Sequence, residues 1–109
     1  MEVVWTDLAI TTLKDLIFYL NQSWSHQVAS RVRATLYQKI TLLKDSPLIG
    51  KEVELGEIKS LRVVIVNKRT KIFYCLSSDK IYIAMIWDVR RNPDILRTYL
   101  NYFLNNLSE

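Results

Sequence analysis

The sequence contains few of the residues that build disulfides, metal centres or membrane spans. One cysteine, Cys75, and one histidine, His26, occur in 109 residues, so an internal disulfide is impossible and the usual zinc-ligand spacings are absent. Charged residues interrupt every apolar stretch before it reaches the roughly 20 residues that a membrane span requires. We therefore expect no metal, no cofactor and no membrane partner. The first residues lack a basic leader followed by an apolar core, which favours a cytoplasmic protein.

Glycine and proline are also scarce, with two of each. Both glycines and one proline lie between residues 47 and 60, where no sustained hydrophobic period is visible. This stretch predicts the main loop, with a short strand at 52–55 inside it. Half of the residues are hydrophobic, which predicts one folded domain over 1–109. Within it, Cys75 is expected to be a small buried strand residue and not a catalytic thiol.

The positive charge is concentrated in the second half of the chain. Residues 1–57 carry six Lys or Arg and seven Asp or Glu, a net charge of −1, whereas residues 58–109 carry nine and four, a net charge of +5. This asymmetry is typical of a protein that presents a basic surface to a polyanion or an acidic partner. Charge that serves only solubility is the alternative interpretation, and the composition does not choose between the two.

Hydrophobic periodicity predicts two amphipathic helices in the first half. The first runs over about 7–21, and either Thr6 or Asp7 can cap it. Ser25 can cap a second helix, which ends before Pro47. Its apolar positions recur at steps of three and four, which fits a helical period: Val28, Val32, Leu36, Ile40 and Leu43. A short connection between the two predicts an antiparallel hairpin.

The second half predicts an antiparallel meander. Three runs rich in branched and aromatic residues, at 61–67, 71–76 and 80–87, are separated by short turns, so consecutive pairing is nearly obligatory. Residues 2–5 predict a further short strand, and Asn92 with the following proline predicts a short C-terminal helix. We expect an α+β fold in which the helical hairpin covers one face of a small, mostly antiparallel sheet. Neither strand face is uniformly polar, so something else should partly cover the other face.

The aromatic residues have two possible uses. Those on the strands are expected to pack in the core, since a base-stacking platform would need two or three exposed on one face; they are Trp5, Phe73, Tyr74, Tyr82 and Trp87. Trp24 lies in the polar break "NQSWS" between the helices. It is predicted to be either a hydrophobic staple or an exposed contact for a partner.

Three stretches together resemble the RelE/ParE superfamily of toxins from bacterial type II toxin-antitoxin systems. They are "VVWTDLAITTLKDLIFYL", the loop from proline to glycine, and "LRVVIVNKRTKIFYCLSSDKIYIAMIWDVRRNP", which ends in a basic pair. The resemblance implies the α+β fold described above and a hetero-oligomer with an antitoxin. It also implies one of two activities, because RelE-like members cleave messenger RNA on the ribosome and ParE-like members inhibit DNA gyrase.

The same resemblance implies which cations serve the site. In a RelE-like enzyme the catalytic positions would be Arg62, Lys71 and Arg91, which would surround one phosphate. Arg62 and Lys71 are expected to face one another if the hairpin turns around 67–70. The wider set of target-binding cations, for RNA or for a protein target, is Arg62, Lys68, Arg69, Lys71, Arg90 and Arg91.

Residues for proton transfer are missing from the expected positions. The lone His26 lies far in sequence from the basic strands, and the tyrosine that a RelE-like enzyme places soon after its last arginine is absent. Here Arg97 stands six residues after Arg91, and Tyr99 falls on the apolar stripe of the predicted last helix. We therefore favour the ParE-like activity, with a RelE-like ribonuclease and a non-toxic RNA-binding or scaffold module as alternatives.

Overall fold

The computed structural model describes residues 1–53 and 60–89 and, beyond these, five single positions: Asp94, Arg97, Thr98, Asn101 and Tyr102. The elements in the described ranges are β1 (Glu2–Trp5), α1 (Asp7–Ser23), α2 (His26–Asp45), β2 (Lys51–Glu52), β3 (Leu61–Ile65), β4 (Thr70–Ser77) and β5 (Lys80–Asp88). The predicted α+β class is confirmed. The five single positions are helical, but the start of the predicted C-terminal helix at Asn92 lies outside the described residues.

Both helices begin at residues that the sequence indicates as caps. The Thr6 hydroxyl accepts a hydrogen bond from the Ala9 N–H at 3.1 Å, and the Ser25 hydroxyl accepts one from the Val28 N–H at 3.1 Å. Each bond satisfies one of the backbone donors that a helix start leaves unpaired. Helix α1 continues to Ser23, two residues beyond its predicted end. Within the described residues, neither helix combines the length and the hydropathy needed to cross a bilayer.

The sheet has five strands in the order β1, β5, β4, β3, β2. Strand β1 pairs with β5 in parallel, and the other three pairs are antiparallel, so the meander β3 to β5 is confirmed. Strand β3 ends two residues before the predicted position, because the turn begins at Val66. The strand expected at 52–55 pairs at Lys51 and Glu52, and its last two predicted positions lie outside the described residues.

Buried side chains lie on both faces of the sheet. The larger cluster joins one face to the helices through residues such as Leu16, Leu36 and Tyr74. The smaller cluster lies on the opposite face: Leu61, Phe73, Cys75, Ala84, Met85 and Trp87. Two buried faces explain why the strands read as almost continuously apolar, since each alternate side chain finds a core.

A bulge in β5 shifts the alternation between the two faces. Phe73 of β4 pairs with Met85 and Tyr74 pairs with Ile83, so Ala84 is an extra residue on β5. Ala84 and Met85 consequently belong to the same cluster, although they are adjacent in sequence. The bulge thereby lets Ile86 return to the helix-covered face.

Helix α1 satisfies backbone groups of β5 that no strand reaches. Strand β1 ends opposite Ile83, whereas β5 continues to Asp88. The Thr6 hydroxyl donates to the Ile83 carbonyl at 2.8 Å, or to the Ala84 carbonyl at 3.2 Å. The buried Thr12 hydroxyl accepts from the Ile86 N–H at 3.0 Å and donates to the Leu8 carbonyl at 2.8 Å. These side chains fasten α1 to the sheet beyond the end of β1.

Replacing Thr12 by valine should destabilise the protein. The substitution keeps the side-chain shape but leaves the buried Ile86 N–H without an acceptor, which costs about 1–3 kcal/mol. Urea unfolding followed by circular dichroism measures the change. The matched control is Thr11→Val on the exposed face of the same helix, which we expect to change stability by less than about 0.5 kcal/mol. Equal effects of the two substitutions would contradict the proposed role of Thr12.

Candidate basic binding surface

Arg62 holds the loop between α2 and β2. Its side chain is only 16% exposed, and its guanidinium donates to the Gly50 carbonyl at 2.6 Å and the Leu48 carbonyl at 3.2 Å. The same group pairs with the Glu52 carboxylate at 3.2 Å across the β2–β3 ladder. A planar guanidinium can serve several acceptors at once. In this arrangement, the donors of Arg62 are directed at its own chain.

Tyr74 forms hydrogen bonds to the same loop. Its hydroxyl accepts from the Gly50 N–H and donates to the Pro47 carbonyl, each at 2.8 Å. A Cβ atom at position 50 would overlap the Tyr74 ring, so only glycine fits there. Burial raises the pKa of Tyr74 above the usual 10.0, and the Gly50 hydrogen bond and the Arg62 charge act in the opposite direction. The phenol therefore remains a donor at physiological pH.

Lys71 lies on the opposite face of the sheet from Arg62. The register pairs Lys71 with Ile65, whereas Arg62 pairs with Tyr74. Tyr74 lies three positions after Lys71 on β4, which is about 10 Å along the strand, and an odd offset reverses the face of the side chain. The expectation that Arg62 and Lys71 face one another is therefore wrong. The hairpin turns almost where expected, at residues 66–69, but its register places Ile65 opposite Lys71.

Lys68 and Arg69 lie together in the turn between β3 and β4. The Asn67 side-chain oxygen accepts from the Arg69 N–H at 2.8 Å and the Thr70 N–H at 2.9 Å, a local bond that fixes the turn. The Val89 N–H donates to the Arg69 carbonyl at 2.8 Å, which ties the turn to the end of β5. The next two residues of the chain, Arg90 and Arg91, lie outside the described residues, so their predicted role in the site stays a prediction.

The basic turn and the tip of the helical hairpin form a groove of about 420 Å³, called here the tip groove. Its floor is apolar and consists of Leu16, Leu20, Val28 and Val32, and its rim consists of Trp24 and residues 67–70. The Arg69 guanidinium lies 5.1 Å from the centre of the Trp24 ring, a cation–π contact. Trp24 is 53% exposed, so it is not a buried staple.

A second, larger groove runs along the outer side of the helical hairpin. This outer groove of about 700 Å³ has a floor of Ile10, Leu13 and Ile17 and a rim that includes Phe18 and Tyr37. Two cations, Lys14 and Arg33, also line it. The arrangement of an apolar floor and cationic rim is typical of surfaces that receive an amphipathic segment.

The described residues bring together no set of groups suited to proton transfer. His26 lies at the start of α2, where its ring contacts the exposed Asn21 side chain at 3.2 Å. Cys75 is buried, which confirms the expectation of a small buried strand residue, and burial raises the pKa of its thiol to about 11, which disfavours the thiolate at neutral pH. No group of three or more His, Cys, Asp or Glu in the described chain is placed to hold a metal ion.

Sequence reasoning missed the loop contacts of Arg62 and Tyr74 and the pairing of Arg69 with Trp24. Two weak signals pointed to the loop contacts of Arg62 and Tyr74. One of the two glycines of the chain stands at position 50, and Arg62 is a charged residue inside an apolar strand. Arg69 and Trp24 are 45 positions apart in the sequence, and no local pattern indicates that they pair. This surface offers exposed cations beside apolar side chains.

The chain belongs to the toxins of type II toxin-antitoxin systems, and it shares its fold with solved toxins. More specifically, the model of the family described as ParE toxin of the type II toxin-antitoxin system, parDE, matches residues 3–93. The chain therefore belongs to the ParE toxin family.

Solved structures share this fold at low sequence identity. A chain of the chromosomal ParDE toxin-antitoxin system from P. aeruginosa is 16% identical, with a TM-score of 0.69 over 82% of this chain and 96% of that one. A copper-bound mutant toxin from Helicobacter pylori is 11% identical (TM-score 0.60; 81% and 93% covered). A YoeB/ParE toxin from Agrobacterium tumefaciens is 15% identical (TM-score 0.57; 81% and 98% covered). The comparison with curated proteins finds no match.

Replacing Tyr74 by phenylalanine should destabilise the protein by about 1–3 kcal/mol, because the Gly50 N–H loses its acceptor in a buried site. Tyr37→Phe, at a 43% exposed ring, is the control and should change stability by less than about 0.5 kcal/mol.

The loss of stability caused by Tyr74→Phe should also depend on pH. Because the pKa of Tyr74 is raised in the folded state, its stabilisation is fully present below pH 10.0, the unfolded value, and is lost as the pH rises further. Urea unfolding at a series of alkaline pH values should show that the difference in the free energy of unfolding between wild type and variant becomes smaller above that pH. A difference that became larger there would contradict the assignment.

Proposed function

We propose that this protein is a ParE-like toxin that inhibits growth by binding a cellular protein such as DNA gyrase and is held inactive by a cognate antitoxin. The observation that carries the proposal is the match to the ParE toxin family over residues 3–93. We further propose that residues 1–109 act as one toxin domain in the cytoplasm. The chain would form a hetero-oligomer with its antitoxin.

The placement of the cations supports binding over RNA cleavage. Arg62 is engaged with its own loop, and the register separates it from Lys71 by the sheet itself. A metal-free ribonuclease needs cations around one phosphate and a group that accepts the proton of the 2′-hydroxyl. Among the described residues, that arrangement is not assembled. Binding to a protein needs only the exposed charge and apolar surface that the two grooves offer.

The outer groove supports an antitoxin with an amphipathic, acidic helix. Its floor lies between two antiparallel helices, so a third helix could lie along it and bury the exposed Phe18 and Ile10 side chains. Lys14 and Arg33 would meet acidic residues of that helix, because the described lining of the groove contains no carboxylate. Charge complementarity of this kind speeds association and sets the orientation.

Expression of the chain alone should arrest bacterial growth, and co-expression with the product of the adjacent reading frame should restore it. Viable counts after induction measure both effects. Purified protein added to gyrase should reduce the supercoiling of relaxed plasmid on agarose gels, because a bound inhibitor blocks the cycle of the enzyme. Messenger RNA on programmed ribosomes should remain intact.

The other outcomes separate the alternatives. Cut messenger RNA, lost in Lys71→Ala and Arg91→Ala, would favour the RelE-like ribonuclease and overturn the gyrase proposal. Unaffected growth with folded, soluble protein would refute both toxin activities and favour the non-toxic RNA-binding or scaffold module.

Phe18→Asp should weaken the complex with the antitoxin. Phe18 is 67% exposed, so the folded toxin tolerates the change. The complex loses the burial of an aromatic ring and gains a repulsive charge, together about 1–3 kcal/mol, or roughly 5-fold to 150-fold in Kd. Calorimetric titration with the purified antitoxin measures it. Leu42→Asp, at a 52% exposed position of α2 outside both grooves, is the control; if it weakened binding equally, the outer groove would not be the site.

A further inference from the structure

Hydrogen bonds within the chain hold the backbone on both sides of the tip groove. The Asn67 side chain holds the basic turn through two hydrogen bonds, and the Arg69 carbonyl is bound by Val89 at the end of β5. Opposite the turn, Trp24 follows the last residue of α1, and its N–H donates to the Leu20 carbonyl at 3.0 Å. A partner would therefore meet an ordered rim, which lowers the entropic cost of binding.

The charged residues in the described lining of the tip groove have one sign. Lys68 and Arg69 are exposed, and neither forms an ion pair with a carboxylate among the described residues. The described lining contains no acidic residue, and the polar groups of Asn67 and Thr70 complete the rim. Cations beside an apolar floor fit a ligand that combines a carboxylate with a hydrophobic side chain.

We propose that the tip groove binds a short acidic segment of the inhibited target protein, with an aliphatic or aromatic side chain on the apolar floor beside the Trp24–Arg69 pair. This inference rests on the proposed function and names the surface through which the toxin would meet its target. The apolar side chain of the segment would contact Val28 and Val32 on the floor. The neighbouring carboxylates of the segment would pair with Lys68 and Arg69.

The size and lining of the groove favour a peptide over a nucleic acid. A groove of about 420 Å³ accommodates one or two side chains of a peptide. Its apolar floor offers no cation or hydrogen-bond donor to a phosphate backbone. Single-stranded nucleic acid would need exposed ring faces for its bases, and one face of Trp24 is already covered by Arg69. The antitoxin, which must bind tightly, is better matched to the larger outer groove.

Selection from a random peptide library on the immobilised full chain tests the ligand chemistry. We expect the wild type to enrich peptides with Asp or Glu beside a large apolar residue. Arg69→Gln and Trp24→Ala should lose this enrichment, whereas Lys51→Gln, an exposed cation on β2, should keep it. A basic consensus, no consensus, or an acidic consensus that survives both groove variants would overturn the proposal. The proposal would also be overturned if the wild type bound a fluorescent oligothymidine more tightly than Arg69→Gln and Trp24→Ala do.

Growth assays with the same variants test the biological partner. Arg69→Gln and Trp24→Ala should reduce growth arrest while still forming a complex with the antitoxin, and Lys51→Gln should arrest growth as the wild type does. Circular dichroism confirms that each variant is folded. Loss of antitoxin binding with full toxicity would overturn the assignment to the target. If the wild type does not arrest growth, the proposed function fails, and the peptide selection still decides what the groove binds.

Discussion

The structure depends on one constraint: β5 is longer than the strand beside it, and its remaining backbone groups must be bonded in the interior. Thr6 and Thr12 meet that requirement from α1, because a buried N–H or carbonyl without a partner is costly. The first helix is thereby fixed over the edge of the sheet. The second helix follows it in the hairpin, so both grooves are lined by a helix that these hydrogen bonds fasten to the sheet.

The two arginines of the described meander make different contacts because they occupy different positions in it. Arg62 lies inside a strand, near the two-residue edge strand β2, where loop carbonyls are within its reach. Arg69 lies in a turn, which leaves its guanidinium free to reach the aromatic ring of the helical hairpin. Net charge therefore overstates what a partner encounters, since Arg62 contributes to the total of +4 but is largely covered by its own loop.

Local patterns predict most of the elements of this fold, and contacts between distant residues explain what the sequence does not reveal. Helix caps at Thr6 and Ser25 and the meander follow from spacing within a few residues. The face of Lys71 depends on the register of a hairpin, where a shift of one residue reverses every side chain. Tyr74 acts on residues 24 and 27 positions away. For the candidate surface, the sequence indicated Lys68 and Arg69 but not the groove that they share with Trp24.

The bulge at Ala84 has a consequence for insertions and deletions in β5. Because Phe73 pairs with Met85 and Tyr74 with Ile83, the chain could lose Ala84 and still keep every other pairing partner on β4. Loss of Met85 would have the same result, because Ala84 could take its place opposite Phe73 on the same face. Loss of a β5 residue away from the bulge would shift the ladder by one residue and reverse the faces of the side chains beyond it. Length variation in this strand is therefore compatible with the fold at the bulge, and the ladder on either side of the bulge is fixed in length.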